Sequence, residues 1–332
     1  MQSGFALLES GSVRQKNNQN ILLKNLMDAC IGGIVWWAIG YAFAYGDLSN
    51  SFIGTTGFFC QGFGTGDYAN WFFQWAFAAT AATIVSGSLA ERVNILTYIA
   101  FSAFMTGFIY PVIVAWTWGG GYLTKMGFLD LAGSGVVHLC GGAAGFAGAA
   151  ILGPRLGLFN PIGKPDKRMK TQGDMNEDTY QTICDKVKGN QWTVVRLNQT
   201  VQNYQLFINQ SEVQSAHSPQ NVALGTLILW LGWLLFNGGS SGSIVGDGGK
   251  AAELIIVNTI IAPSAAGIVT FFVKPYICPA KQNVLFDFQG ITNGILAGLV
   301  SITAGCDVVE TWAAFCIGII GSFVYCFACL LM

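Results

Sequence analysis

Few ionisable residues sit in apolar surroundings, and two of them share one stretch: Asp130 and His138 lie eight residues apart in FLDLAGSGVVHLCGG. Asp130 falls where an apolar helical run begins, so its carboxylate can cap that helix's free N–H groups or bind a cation, and both roles can hold together. His138 lies about two turns deeper, flanked by Val136, Val137 and Leu139; an imidazole there is either a hydrogen-bonded packing residue or a functional group that donates and accepts. The small residues around it (Gly133, Ser134, Gly135, Gly141 and Gly142) allow close helix approach or leave a lumen. Ahead of Asp130 stands Trp118 in WTWGGG, and Phe73 and Phe77 recur at i, i+4 on one helix face, where aromatics serve as packing or as pore lining. A further cluster, Phe236-Asn237-Gly238-Gly239-Ser240-Ser241, brings small polar groups to the end of an apolar run. Ser134, His138 and Asp130 do not amount to an enzyme site, because no oxyanion donor or nucleophile motif accompanies them. Cys326 and Cys329 form a C-x-x-C, but with two histidines in the chain and no second pair a zinc site has little support and the thiols read as small hydrophobes. No metal and no cofactor are expected.

The elements that must position these residues are membrane spans. The chain has 332 residues, 52% hydrophobic, 10% charged, with mean hydropathy +0.50 and 43 glycines. That leaves too little charge to cover a water-facing surface, where about 25% is usual. Disorder, a coiled coil, a disulfide scaffold and a soluble dinucleotide-binding enzyme are excluded, and a net charge of −1 gives no sign of a nucleic-acid partner. Runs of roughly 20 apolar residues predict spans over 21–46, 70–89, 94–117, 133–152, 222–242, 252–273, 286–305 and 311–332. The first dozen residues read as the tail of a further helix. Of 16 Lys and Arg, 14 fall on one side when the spans alternate, which makes that side cytoplasmic and places the N-terminus outside. The exceptions are Lys125 and Lys250. A polar Gln/Asn-rich insert occupies 153–221; its sequons at Asn198 and Asn209 read as chance matches on the cytoplasmic side, and His217 within it reads as solvated. Five spans before the insert and four after it fit two inverted repeats, 1–152 and 222–332, the second lacking a span.

At QSGFALLESGSVRQKN, SGSLAER, LDLAGSGVVHLCGG, LGWLLFNGGSSG and NGILAGLVSITAGC the chain resembles the ammonium transporter superfamily (Amt/Mep/Rh), on the ammonium transporter branch, over nearly its whole length except about 160–220. The resemblance implies an all-α polytopic membrane protein with an inverted five-helix repeat, N-terminus outside, forming a homotrimer in the plasma membrane with one pore per subunit. It implies ammonium or ammonia as the transported species, with methylammonium as an analogue. Trp118 and Ser240, with Phe77 beneath, correspond to the external recruitment site, and Phe77 and Phe236 to a gate with Phe73 as a further vestibule aromatic. His138 corresponds to the first of two pore histidines, and Asp130 to a buried acid needed for cation recognition and for the fold. The family's second pore histidine lies on a tenth span and this chain ends at the ninth, so it reads as truncated at both ends, and His217 cannot complete the pair. Two alternatives stand beside transport: an ammonium-sensing membrane protein signalling through the insert, and a non-conducting truncated paralogue.

Overall fold

In the computed structural model the described residues are 1–50, 52–155, 217–278 and 287–331. All of these but 152–155 belong to one compact unit, Met1–Ile151 with Ala216–Met332; residues 152–155 begin a second, Leu152–Ser215. The interior of the 153–221 insert, with both sequons, lies outside the described residues, as do Lys281 and Met332.

The apolar runs became helices close to their expected places. Helix α1 (Gln2–Ser12) is followed by α2 (Asn18–Val35), a π-turn over Trp36–Gly40 and α3 (Tyr41–Tyr45), together one rod. Helix α4 (Asp67–Leu89) comes next, then α5 (Ile95–Phe104) and α6 (Tyr110–Trp116) joined by a second π-turn, Met105–Ile109. The short α7 (Tyr122–Lys125) leads to a third π-turn, Ser134–Leu139, that opens α8 (Cys140–Leu152). Beyond the insert lie α9 (Pro219–Gly239), α10 (Gly246–Ile277), α11 (Phe288–Ile302) and α12 (Thr311–Leu331).

Among the described residues seven helical rods are long and apolar enough to cross a membrane. Two expectations shift. The run over 286–305 gives only the 15-residue α11, because Asp287 caps its N-terminus through Gly290 N–H at 2.9 Å and residues 303–308 turn back. The run over 252–273 gives the 32-residue α10. At 1.5 Å per residue that is about 48 Å, so α10 must tilt or project beyond a ~30 Å hydrocarbon layer.

The first expected helix is short, but it is firmly packed. It lies antiparallel along α9: Met1 meets Gly232, Leu8 meets Gly225, and Gly11 meets Val222. A Cβ on Gly225 would fall 2.4 Å from Leu8 N, so the two backbones approach as small-residue membrane interfaces do. Large side chains on the far face of α9 (Leu224, Leu227, Leu231, Leu235) are 50–72% exposed. A stripe of this kind suits lipid or another apolar surface and is costly against water. Inside, Trp36, Tyr41, Phe77, Tyr110, Trp233 and Phe236 share the main core.

His217 departs from the expectation of a solvated side chain: its Nδ1 lies 3.2 Å from the Val13 carbonyl, because the chain re-enters the bundle there to start α9. Lys24, counted with the cytoplasmic flank, is only 4% exposed.

Candidate functional site

The run from Trp118 to His138 folds around one carboxylate. Gly133 takes φ +100, a backbone conformation glycine adopts readily. The Ser134–Leu139 π-turn follows, with its first N–H groups pointing back at Asp130. Asp130 Oδ1 accepts from Gly133 N–H at 2.8 Å and Ser134 N–H at 3.0 Å; Oδ2 accepts from Gly135 N–H at 2.8 Å and Val136 N–H at 3.0 Å. All four orphan donors of this helix start are therefore satisfied by one side chain. The backbone carbonyl of Asp130 accepts the Trp118 indole N–H at 2.7 Å, which fixes that ring. Thus Asp130 sets the helix that carries His138 and, through its carbonyl, the Trp118 ring.

Trp118 meets Phe77 edge-on, with centroids 5.3 Å apart and an interplanar angle of 78°. Phe77 packs in turn on Phe73 at 4.8 Å and on Phe236 at 4.1 Å. The last turn of α9 reaches the same level, since a Cβ on Gly239 would stand 3.4 Å from Phe73. The Ser240 hydroxyl at that helix end donates to the Phe236 carbonyl at 2.9 Å. Its proton is thereby committed and its oxygen remains able to accept.

Below Phe236 comes His138, with centroids 6.0 Å apart. The imidazole is 5% exposed and lies flat on Trp233, at 4.7 Å and 15°. Its Nε2 is buried and finds no hydrogen-bond partner among the described residues. A buried imidazole nitrogen with no partner is costly as pure packing, so Nε2 is left able to hydrogen-bond a small polar ligand.

The structure thus brings Phe73, Phe77, Phe236, Trp118 and His138 into a single aromatic column, with Ser240 one turn beyond Phe236 and Asp130 holding the column's wall. It also adds Trp233, which the sequence reading missed, and gives Asn237 of the FNGGSS cluster a partner. Trp233 carries His138 on its face, and its own N–H donates to Thr303 Oγ1 at 2.8 Å. Asn237 donates to Thr259 Oγ1 at 3.0 Å, tying α9 to α10. The i, i+3 spacing of Trp233 and Phe236 in WLLF was the available signal, because it puts both rings on one face.

These features define a class: a polytopic helical membrane protein with a narrow apolar column between its helices, flanked by a buried acid and ending on a histidine. Comparison with known proteins narrows it. The sequence profile of the Ammonium Transporter Family matches residues 1–175 and 196–332, and the chain belongs to that family. It is 38% identical to Ammonium transporter 1 member 3 of Solanum lycopersicum, over 98% of this chain and 63% of that protein. Among solved structures it superimposes on the Sensor Amt Protein with a TM-score of 0.77 and 30% identity, covering 98% of this chain and 70% of that one. It superimposes on Mep2 of Saccharomyces cerevisiae with a TM-score of 0.73 and 26% identity, covering 99% and 66%. The chain spans less than two thirds of the length of the curated relatives it matches.

Proposed function

We propose that the protein carries ammonium or ammonia across a membrane, by way of the column from Trp118 to His138. The observation that supports this best is the buried His138 Nε2, without a partner among the described residues, at the foot of three packed phenylalanine rings. Ammonium matches potassium in charge and approximate size, so recognition needs more than a negative field. A Trp118 face attracts a cation by roughly 0.5–2 kcal/mol, and the Ser240 oxygen accepts an N–H that potassium lacks. A bare ion in an apolar column costs several kcal/mol even after relaxation. Transfer of a proton from ammonium to external water above Phe77 and Phe236 removes most of that cost, and the neutral ammonia then hydrogen-bonds to His138. The finer assignments belong to the same reading: Trp118, Ser240 and Phe77 as recruitment site, Phe77 and Phe236 as gate with Phe73 above, Asp130 as structural and electrostatic support.

Residues 1–152 and 222–332 are read as two inverted repeats around the 153–221 insert. The antiparallel crossing of α1 and α9, the first helices of each repeat, supports that relation. A homotrimer in the plasma membrane, N-terminus outside, completes the proposal. Uptake of labelled methylammonium into proteoliposomes tests it. Trp118→Leu is expected to change the preference between ammonium and methylammonium, and His138→Ala to reduce flux. Uptake unchanged in both variants overturns the proposal. The likeness to the Sensor Amt Protein favours a second reading, an ammonium sensor. Deleting 160–218 and losing an ammonium-dependent response while uptake persists would support it.

A further inference from the structure

A second polar site lies outside the aromatic column, between α1, α2, α4 and α5, and none of its charged members belongs to the transport reading. Glu9 on α1, with Lys24 and Asp28 on α2, are 8%, 4% and 1% exposed. Glu9 Oε2 accepts Asn25 Nδ2–H at 2.8 Å and the Ser86 hydroxyl. Asp28 Oδ2 accepts the Tyr98 hydroxyl at 2.5 Å and Thr83 Oγ1–H at 3.4 Å. Asn25 and Asp28 are one turn apart on α2, as are Ser86 and Thr83 on α4, so the two carboxylates sit about one helical turn, ~5 Å, from each other along one seam. The Lys24 ammonium stands 5.2 Å over the Tyr98 ring, and Lys24 precedes Asp28 by four residues on the same helix face.

Charge counting makes this arrangement incomplete. Two carboxylates and one ammonium leave one negative charge in a site walled from solvent, and an uncompensated buried charge is far more costly than its neutral form. Among the described residues no further charged side chain pairs with Glu9 or Asp28. Helix α4 contributes Thr83 and Ser86 and α5 contributes Tyr98 and Ser102, all uncharged hydroxyls, while Arg14 is engaged with Glu91 at the rim. The site also keeps acceptors in reserve: Asp28 Oδ1 and Asn25 Oδ1 are buried with no partner among the described residues. Solvent space approaches the cluster on its Lys24 side. Lys24 lines a cavity of about 360 Å³, together with Asn17, Asn20, Glu91 and Arg92, and Asn20 at its edge is exposed.

We infer that the Glu9–Lys24–Asp28 cluster is a proton-binding site, holding one proton on its carboxylate pair at neutral pH and exchanging it with water in the cavity beneath Lys24. Binding forms one O–H bond on a carboxylate oxygen and takes the proton from that water; nothing is oxidised or reduced. Buried acids in membrane bundles serve as proton stations, and this one is separate from the column that ends on His138.

The proposal predicts an integer pattern, readable by infrared difference spectroscopy of the purified full chain in lipid. The probe is the protonated carboxylic C=O band at neutral pH, assigned by its shift in deuterium oxide. The unmodified protein shows one such group. Lys24→Met, which removes the compensating cation, doubles the band. Glu9→Gln and Asp28→Asn, which leave one carboxylate facing one ammonium, each abolish it, and both amides retain an oxygen that accepts the existing hydrogen bonds. Either amide variant suffices if the other does not fold. A band absent from the unmodified protein, or unchanged by Lys24→Met, overturns the proposal. So does a band that vanishes on adding potassium or sodium, which would make this a cation site. None of these outcomes depends on whether the aromatic column conducts.

Discussion

Replacing Asp130 by asparagine removes half of what that side chain does and leaves its volume in place. The carboxylate accepts four backbone N–H bonds of 2.8–3.0 Å, two on each oxygen. An amide offers one oxygen, so one pair of donors is left facing an NH2 group. Hydrogen bonds to charged groups contribute roughly 1.5–3 kcal/mol each, so losing two costs about 3–6 kcal/mol. Side-chain bonds within membranes often measure less, which points to the lower end of that range. A loss of about 3 kcal/mol is a large share of a typical 5–15 kcal/mol stability, and lowers the melting temperature by on the order of 4 °C for a chain of this length. The assay is the fraction of monodisperse protein after stepwise heating, followed by fluorescence-detected size exclusion. Asp130→Ala, which removes all four acceptor contacts, is expected to fall further still and to assemble poorly. An Asp130→Asn protein that melts within about 2 °C of the original would refute the argument. If such a protein had also lost its response to ammonium, the carboxylate would be a ligand first and a cap second.

Gly225→Ala forces a Cβ to 2.4 Å from Leu8 N and is expected to cost about 1–3 kcal/mol by parting α1 from α9; Gly142→Ala, with nothing within 4 Å of the new carbon, is expected to be neutral or to stabilise by about 0.5–1 kcal/mol. The same heating series measures both. Trp233→Phe keeps a ring beneath His138 but loses the 2.8 Å bond to Thr303, a cost of about 0.5–1.5 kcal/mol, whereas Trp233→Leu is expected to reduce methylammonium flux as well by releasing the imidazole. At the rim, burial opposes ionisation of Glu91, yet hydrogen bonds from Arg14 and Asn17 outweigh it and hold the carboxyl below its ordinary value of 4.5. A depressed folded value means that this contribution is complete above the unfolded value and is lost as pH falls through the folded one. Thermal stability should therefore drop on acidification below about pH 4.5, and Glu91→Gln should flatten that drop.

Much of the fold was legible in the sequence because a membrane makes demands that a linear pattern can express. A spanning helix must be long and apolar, and its backbone groups must be satisfied within it, so the ends of α4, α9 and α12 fell within a few residues of the expected runs. Asp130, His138 and the FNGGSS end of α9 stood out for the same reason, as polar residues inside apolar runs. Boundaries failed where local chemistry intervened. Asp287, as N-cap, set the start of α11 at Phe288, and α10 continued through Pro263 and Pro275.

What the sequence by itself determined is the class: charge is too scarce for water, apolar runs recur at membrane length, and family motifs stand in order. The tertiary structure alone decided which of those residues meet. That Phe77 packs on Phe236 from a helix 159 positions away in the chain, that Trp233 carries His138, and that Glu9, Lys24 and Asp28 gather in one buried cluster are properties of helix rotation and crossing. Those follow from the summed packing of small residues such as Gly4 against Gly225, a quantity carried by pairs of surfaces and absent from any one stretch of chain.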